Sequence, residues 1–322
     1  ACSVFINPVL GSTILAIGPL DIVDFKCNPG NSCIDHGVGT VFTTGATLPE
    51  LGSCLGVFIG LYPFHQWGSY NLIKLGLKKM DNSYWIGGRH AVLAAIRNTN
   101  RNIKRLVLDK GLDNLDLNEV SSSQKKFELA NKDQIKKLFS DKDFVHQGYA
   151  ALISPLKTLS LKEFLNSSIE KSLLLPILED INDPRNLGSI LRSCAAFGVK
   201  HVMIKDNSVN EKSAYLHKAA SGACEKINFV KVSNISTALK VLKKEQFWVY
   251  GTDLQSNQFM HKIKLSEERY AVIFGSEQSG IKKLTKENCD SLFKIKMQGE
   301  MESLNVSNSC AIILNHFSNH LK

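Results

Sequence analysis

Beyond residue 171 the sequence alternates between apolar runs of strand length and longer segments with helical spacing. Strands joined by helices in this way favour a mostly parallel α/β sheet with helices packed on its faces. The pattern predicts strands at Leu173–Leu178, His201–Ile204, Asn228–Val232, Trp248–Gly251, Ala271–Phe274 and Leu292–Met297. It predicts helices at Leu187–Phe197, Glu211–Ala220, Ser236–Glu245 and Val306–His320.

Polar residues and glycines concentrate in three blocks where predicted strands give way to loops or helices. Ligands of open α/β sheets bind at the carboxyl ends of the strands, so the three blocks predict one composite site. The blocks are Asn186-Leu-Gly-Ser-Ile-Leu-Arg192, Phe274-Gly-Ser-Glu-Gln-Ser-Gly280, and Ile295-Lys-Met followed by Ser303-Leu-Asn-Val-Ser307.

Each block also has a purely local explanation. Asn186 could be the N-cap of the predicted helix, since asparagine is among the best capping residues. Arg192 lies off the apolar stripe and could be a solvated helix residue. Glu277 could be a solvent-facing acid in a turn, and the Ser/Asn pair could serve only to cap the last helix.

The order and spacing of the blocks resemble the SpoU/TrmH family, which are knotted, S-adenosylmethionine-dependent RNA 2′-O-methyltransferases. The first block matches the family pattern Asn-x-Gly-x-x-x-Arg, and the third matches Ile-Pro-Met-x-Gly and Ser-Leu-Asn-Val-Ser. One departure is Lys296, which stands where the family has proline. The resemblance implies an α/β-knot (SPOUT, trefoil-knotted) methyltransferase domain at residues 171–322.

The resemblance also implies site roles and a homodimer whose active sites lie at the subunit interface. It assigns catalysis to Asn186, Arg192, Glu277, Ser303 and Asn305, with Glu277 hydrogen-bonded to Asn186. It assigns S-adenosylmethionine binding to Thr252, Gly275, Ser276, Gly280, Ile295, Met297 and Leu304, without a metal. Because arginine stays protonated in proteins, we expect Arg192 to stabilise developing alkoxide charge rather than to remove a proton, and the general base stays unassigned.

Residues 80–155 have the composition of a small α/β domain. Two stretches, Trp85–Val92 and His146–Gly148, resemble the N-terminal domain of the ribosomal-RNA branch of the family, a fold similar to ribosomal protein L30e. That domain presents RNA to the catalytic domain, and residues 156–170 are predicted to be a linker. The predicted elements are helices at His90–Ile96, Asp133–Phe139 and Ser160–Leu165, a strand at Arg105–Leu108, and a turn and strand within Phe144–Leu152.

The net charge of +9 is confined to residues 80–322, because residues 1–79 carry four lysines, four acids and no arginine. A basic surplus favours a polyanionic partner. The family resemblance, with which this charge agrees, implies methylation of a guanosine 2′-hydroxyl in RNA, with 23S ribosomal RNA as the expected substrate. The alternatives are a tRNA 2′-O-methyltransferase of the same family and a catalytically inactive RNA-binding protein. We expect phosphate contacts from Arg89, Lys104, Arg105, Lys136 and Lys137.

Residues 1–79 show no useful periodicity and contain no methionine, the first being Met80. We expect this segment to be an unassigned extension that is non-native or disordered. Its apolar stretch is interrupted by Pro8, Gly11 and Pro19 and lacks a basic start, which disfavours a signal peptide or membrane anchor. The eight cysteines form no C-x-x-C pair, so scattered free thiols and a cytoplasmic location are expected.

Overall fold

The computed structural model describes residues 82–321 except 124, 169 and 207, together with three short strands near the start of the chain. The chain forms two compact units, residues 1–81 and 82–322. In the first, strands β1 (Ser3–Asn7), β2 (Ser12–Ala16) and β3 (Ile22–Phe25) pair antiparallel in that order. The sequence analysis predicts no strand there. The other residues of 1–79 lie outside the described residues, so the extension stays a prediction.

The second unit begins with a four-stranded sheet in the order β4-β7-β5-β6. Two apolar clusters cover its faces, one with α1 and α2 and the other with α3. Its elements are β4 (Tyr84–Gly87), α1 (Arg89–Arg97), β5 (Ile103–Asp109), α2 (Asn114–Ser122), β6 (Glu128–Ala130), α3 (Lys132–Lys136) and β7 (Tyr149–Ile153). The likeness of this sheet to ribosomal protein L30e stays a prediction.

A seven-stranded sheet in the order β14-β12-β13-β9-β10-β11-β8 follows, and its strand pairs are all parallel. The mostly parallel α/β sheet predicted from the sequence is thereby confirmed. The elements are β8 (Leu159–Ser160), α4 (Leu161–Ser167), β9 (Leu173–Leu178), α5 (Pro184–Ala196), β10 (His201–Lys205), α6 (Ala214–Ala220), β11 (Asn228–Val232), α7 (Ile235–Lys244), β12 (Trp248–Thr252), β13 (Arg269–Phe274), α8 (Lys283–Glu287), β14 (Ser291–Phe293) and α9 (Val306–Ser318).

Helices cover both faces of this sheet. One buried cluster joins α5, α6 and α9 to the sheet, and the other joins α4 and α7. The side chains of β9 alternate between the two clusters, because successive residues of a strand point to opposite faces. A strand buried on both faces reads as a continuous apolar run, which is why its bounds were predicted correctly.

Several predicted elements have other bounds in the structure, and β4, α2 and β6 were not predicted from the sequence. The last strand ends at Phe293 rather than Met297, because beyond it only an isolated bridge joins Lys294 to Phe259. The helix predicted from Glu211 starts at Ala214. Residues 156–170, predicted as a linker with one helix, also contribute β8, the strand at the edge of the large sheet. The knotted path of the backbone stays a prediction.

A buried ion pair fastens the two sheets of this unit together. Arg101, in the loop after α1, donates from Nε and Nη2 to the two carboxylate oxygens of Glu225, at 2.9 and 2.8 Å. Its Nη1 donates to the carbonyl of Ser154, and Asn98 donates to the same carboxylate at 2.8 Å. The two charged side chains are only 2% and 5% exposed. All three guanidinium nitrogens of Arg101 and both carboxylate oxygens of Glu225 are therefore hydrogen-bonded within the protein.

The same junction contains a histidine that cannot easily take up a proton. Burial, together with the charge of the nearby Arg101, lowers the pKa of His217 to about 4. The unfolded chain, with a histidine pKa near 6.5, binds more protons than the folded chain between these values, so stability falls as the pH drops. We expect His217 to remove about 2 kcal/mol from the free energy of unfolding between pH 7 and pH 5.

Denaturant unfolding of wild type and His217→Gln at both pH values measures this contribution. The variant is expected to lose less stability than wild type on acidification. Parallel losses in the two proteins would show that His217 does not titrate as stated.

Among the residues that the structure describes, none of the helices combines the length and apolarity needed to cross a bilayer.

Candidate active site

A cavity of about 580 Å³ opens at the carboxyl ends of β12, β13 and β14. Its position agrees with the rule for ligand sites in parallel α/β sheets, and its size lies within the range of small-molecule sites. All seven residues predicted to bind the cofactor line it, and so do three of the five predicted catalytic residues. They are Thr252, Gly275, Ser276, Gly280, Ile295, Met297 and Leu304, with Glu277, Ser303 and Asn305.

One wall of the cavity is a tight loop that follows β13. A Cβ atom on Gly275 would lie 2.1 Å from the carbonyl carbon of Gly280, so only glycine fits there. The Gly280 amide donates to the carbonyl of Ser276 at 2.9 Å, and Gly280 has a φ of 64°, which glycine adopts without strain. The close approach of Gly275 and Gly280 therefore brings backbone polar groups to the cavity wall.

Three predicted catalytic side chains meet through hydrogen bonds beside this loop. Oε1 of Glu277 accepts from Nδ2 of Asn186 at 3.2 Å and from Nδ2 of Asn305 at 2.6 Å. Asn305 also donates to Oδ1 of Asn186 at 3.0 Å. The hydrogen bond between Glu277 and Asn186 expected from the sequence is present. These contacts tie together the ends of three segments that are distant in the sequence.

The network also anchors the start of α9. The amide of Val306 donates to Glu277 at 3.3 Å, and Oδ1 of Asn305 accepts from the amide of Ser307 at 2.9 Å. A carboxylate at a helix N-terminus is favourable, because the first amides carry partial positive charge. Asn305 is the N-cap of α9. The expectation that Ser303 also caps this helix is wrong, because the helix starts three residues later.

Asn186 is not an N-cap either. Helix α5 begins at Pro184, and the side chain of Asp183 accepts from the amide of Arg185 at 3.0 Å, so Asp183 occupies the capping position. Proline suits the first helical position because its φ is fixed there and no amide is lost. Asn186 therefore lies within the first turn, where its side chain is free to point at Glu277.

Arg192 lies apart from the cavity. It is exposed, six residues after Asn186 on α5, and it is not among the lining residues. Six residues correspond to about 9 Å along the helix axis and about 120° around it. Gly188, the middle residue of the first motif, has a packing role instead: a Cβ there would lie 2.5 Å from the carbonyl oxygen of Leu216 on α6.

Two further polar groups support the site and were not predicted as site residues. Glu179, 3% exposed, directly follows β9 and accepts from the amide of Lys282 and from Oγ1 of Thr285, both at 2.8 Å, which fixes the start of α8. Lys286 pairs with Asp253 at 2.9 Å at the cavity wall. An acid immediately after an apolar strand was the available signal for Glu179, whereas Lys286 has no local signal.

Comparison with known proteins identifies both halves of residues 82–322. Residues 174–315 match the SpoU rRNA Methylase family, and residues 85–159 match the family described as RNA 2′-O ribose methyltransferase substrate binding. Together the fold and the two matches define an RNA methyltransferase with a substrate-binding domain ahead of its catalytic domain. The chain belongs to the SpoU rRNA methylase family.

Curated relatives and solved structures agree with this membership. The chain is 34% identical over 241 residues, 91% of the relative's length and 73% of its own, to the 23S rRNA (guanosine-2′-O-)-methyltransferase RlmB of Nitrosomonas europaea. It is 33% identical over 235 residues, 71% of its own length and 92% of the relative's, to RlmB of Coxiella burnetii.

Two crystal structures have the same fold. One, an RNA 2′-O ribose methyltransferase, has a TM-score of 0.64 at 22% identity, covering 77% of this chain and 93% of that one. The other is the SpoU methyltransferase AviRb from Streptomyces viridochromogenes in complex with AdoMet, with a TM-score of 0.63 at 16% identity. This second match covers 74% of the present chain and 90% of the AviRb chain.

Proposed function

We propose that the protein transfers a methyl group from S-adenosylmethionine to the 2′-hydroxyl of a guanosine in 23S ribosomal RNA. The observation that carries this proposal is the cavity at the strand ends, whose walls contain every residue assigned to the cofactor. Relatives named as 23S rRNA guanosine methyltransferases favour ribosomal RNA over tRNA as the substrate. Transfer of a radiolabelled methyl group to 23S rRNA tests the proposal, with tRNA and a reaction without RNA as controls.

The residues of the cavity fit S-adenosylmethionine. Apolar side chains, among them Ile295, Met297 and Leu304, suit the adenine ring and the methionine chain, and the backbone groups around Gly275 suit its polar ends. When bound, the cofactor supplies an electrophilic methyl group on a sulfonium. The protein's contribution is then mainly alignment, which can lower a barrier by roughly 7–11 kcal/mol.

The side chains around the cavity have distinct proposed tasks. Glu277 holds the side-chain amides of Asn186 and Asn305 in fixed positions, so that these amide groups can orient the ribose. Ser303 lines the cavity beside them. Arg192 stays protonated and can stabilise the charge that develops on the attacking oxygen.

Changing Leu304 to aspartate is expected to weaken S-adenosylmethionine binding by tenfold or more. The substitution places a charge against the apolar cofactor, and an unpaired desolvated polar group costs on the order of 1–3 kcal/mol. Met301→Asp is the matched control, because Met301 is 72% exposed and is not a lining residue. Calorimetry that gives wild-type affinity for Leu304→Asp would remove Leu304 from the site.

A homodimer is part of the proposal, since Arg192 is exposed, does not line the cavity of its own chain and would complete the site of a second copy. Arg192→Ala is expected to abolish methyl transfer while cofactor binding is retained. Denaturing Arg192→Ala and Leu304→Asp together and refolding the mixture should restore activity, because each heterodimer contains one site free of both changes. Such sites are about a quarter of all sites in the mixture. A mixture as inactive as its parents would contradict the shared site.

The proposal includes a cytoplasmic location. Cys194, Cys224, Cys289 and Cys310 are free thiols, and three of them are buried. Free cysteines are typical of proteins that stay in a reducing compartment.

A further inference from the structure

Basic and aromatic side chains line the junction between the two sheets of residues 82–322, beginning at the active site. Arg185 immediately precedes Asn186 and is exposed. Its guanidinium carbon lies 4.7 Å from the ring centroid of Tyr215 on α6, within the range of a cation–π contact. The contact holds the arginine in one orientation beside the hydrogen-bond network of the site.

The row continues into the substrate-binding domain. The Tyr215 hydroxyl donates to Asp141, and its ring meets the edge of Phe144 at 5.2 Å. One turn further along α6, Nζ of Lys218 lies 5.5 Å above the Phe144 ring. Aromatic side chains from both domains thus fix two cations, Arg185 and Lys218, along the junction between the domains, which is called the seam below.

A third cation, Lys136 of α3, extends the row on the side of the substrate-binding domain. Ile135 of α3 packs in the same apolar cluster as Phe144, and Tyr215 packs against that cluster, so α3 borders the junction with its neighbouring residue Lys136 exposed. The hydrogen bond from Tyr215 lowers the pKa of Asp141, and the charges of Arg185 and Lys136 lower it further. Burial lowers the pKa of His146, and Lys132 and Lys136 add to the effect. The ring of Phe139, three residues after Lys136, stacks on His146 with 6.3 Å between the ring centroids, so this end of α3 also adjoins His146, which lies in the short motif that resembles the family's RNA-presenting domain.

The loop at this end has an unusual backbone. Gln147 is exposed and adopts a φ of 56°, in the left-handed region that disfavours residues other than glycine. Its side chain accepts from the amide of Arg89 at the start of α1. Strained backbone of this kind concentrates at functional sites. A loop held in a strained shape on an open surface fits a contact surface better than a packing role.

We infer that Lys136, Lys218 and Arg185, called here the seam track, bind consecutive phosphates of the RNA strand that carries the methylated nucleotide. The inference rests on the proposed function. Phosphate contacts give affinity and register without reading sequence, and arginine binds phosphate bidentately. Cations already oriented by aromatic rings lose little further freedom when RNA binds. The track would therefore guide the strand from the substrate-binding domain to Asn186.

Arg105, which is also expected to contact phosphate, is less suited. Arg105 donates through Nε and Nη2 to both carboxylate oxygens of Glu128, at 3.1 and 2.9 Å. Its charge is therefore already compensated. Asp141, the acid within the seam, accepts a hydrogen bond from the Tyr215 hydroxyl.

The test compares two variants that each lose three positive charges. The track variant is Lys136→Gln, Arg185→Gln and Lys218→Gln together. The control is Lys162→Gln, Lys240→Gln and Lys244→Gln, three exposed lysines on α4 and α7, the helices of the opposite face of the large sheet. Binding of 23S rRNA transcribed in vitro is measured against salt concentration. Melting temperature and S-adenosylmethionine affinity are measured in parallel to confirm that each variant is folded.

For the track variant, we expect the slope of log K against log salt to become shallower by about 2–3, since each lost contact removes roughly 0.7–0.9. The control is expected to keep a slope close to wild type. Equal losses in both variants would mean that overall charge, not this seam, attracts the RNA, and an unchanged slope in the track variant would also overturn the inference. A wild-type protein that does not methylate 23S rRNA would instead contradict the proposed function, so the two failures are distinguishable.

Discussion

Replacing Glu225 with alanine is expected to lower the free energy of unfolding by about 3–5 kcal/mol, the range found when one partner of a buried ion pair is removed. Arg101 would remain 3% exposed, with two of its three hydrogen bonds lost. Asn98 would also lose its acceptor. Denaturant unfolding monitored by circular dichroism measures the change.

The chain offers a matched control in a second Arg–Glu pair with the same two-pronged geometry. Arg105 and Glu128 form it with side chains that are 49% and 57% exposed. Exposed pairs contribute about 0–1 kcal/mol, so Glu128→Ala is expected to have a small effect. If Glu225→Ala were no more destabilising than Glu128→Ala, water must reach the Arg101 pair and the junction would be looser than described.

Glu277→Gln is expected to reduce methyl transfer about 100-fold. The donors from Asn186, Asn305 and the Val306 amide all converge on Oε1, and the neutral amide oxygen of glutamine holds them more weakly than a charged carboxylate oxygen does. Displacing groups around a reacting centre by about 1 Å can cost this much in rate. Single-turnover transfer of labelled methyl groups to 23S rRNA measures the step directly.

Glu287→Gln is the control for this change, because Glu287 is an exposed acid at the end of α8 and lies outside the cavity. Its activity is expected to match wild type. Should Glu277→Gln keep more than about a tenth of the wild-type rate, which corresponds to roughly 1.4 kcal/mol of barrier, the network would be structural rather than part of the active site.

The sequence predicted those features whose signal is local or carried by a motif. The apolar run of β9 specified a strand buried on both faces, and the motif match brought Asn186 and Glu277 together across 91 residues. The Arg101–Glu225 pair lacked such a signal. Its partners are 124 residues apart, and although Ala220–Glu225 resembles a family motif, nothing in the sequence links Glu225 to Arg101.

Helix ends were harder to predict than helices. Leu187–Phe197 was recognised by its apolar stripe, but its start depends on Asp183 and Pro184, which lie outside that stripe. The short helix α8, with Thr285 its buried residue, is too short to show a period, and it is fixed by the distant Glu179. Elements held mainly by tertiary contacts do not show themselves in the local sequence.

The strand order has a consequence for how the chain is made. Strand β9 lies between β10 and β13, and about 90 residues separate the end of β9 from the start of β13. At the usual pace of translation, one edge of this apolar strand waits roughly 5–20 s for its neighbour. An unpaired apolar edge invites association with other chains. Folding on the ribosome is therefore expected to need protection of β9 until synthesis has passed Phe274.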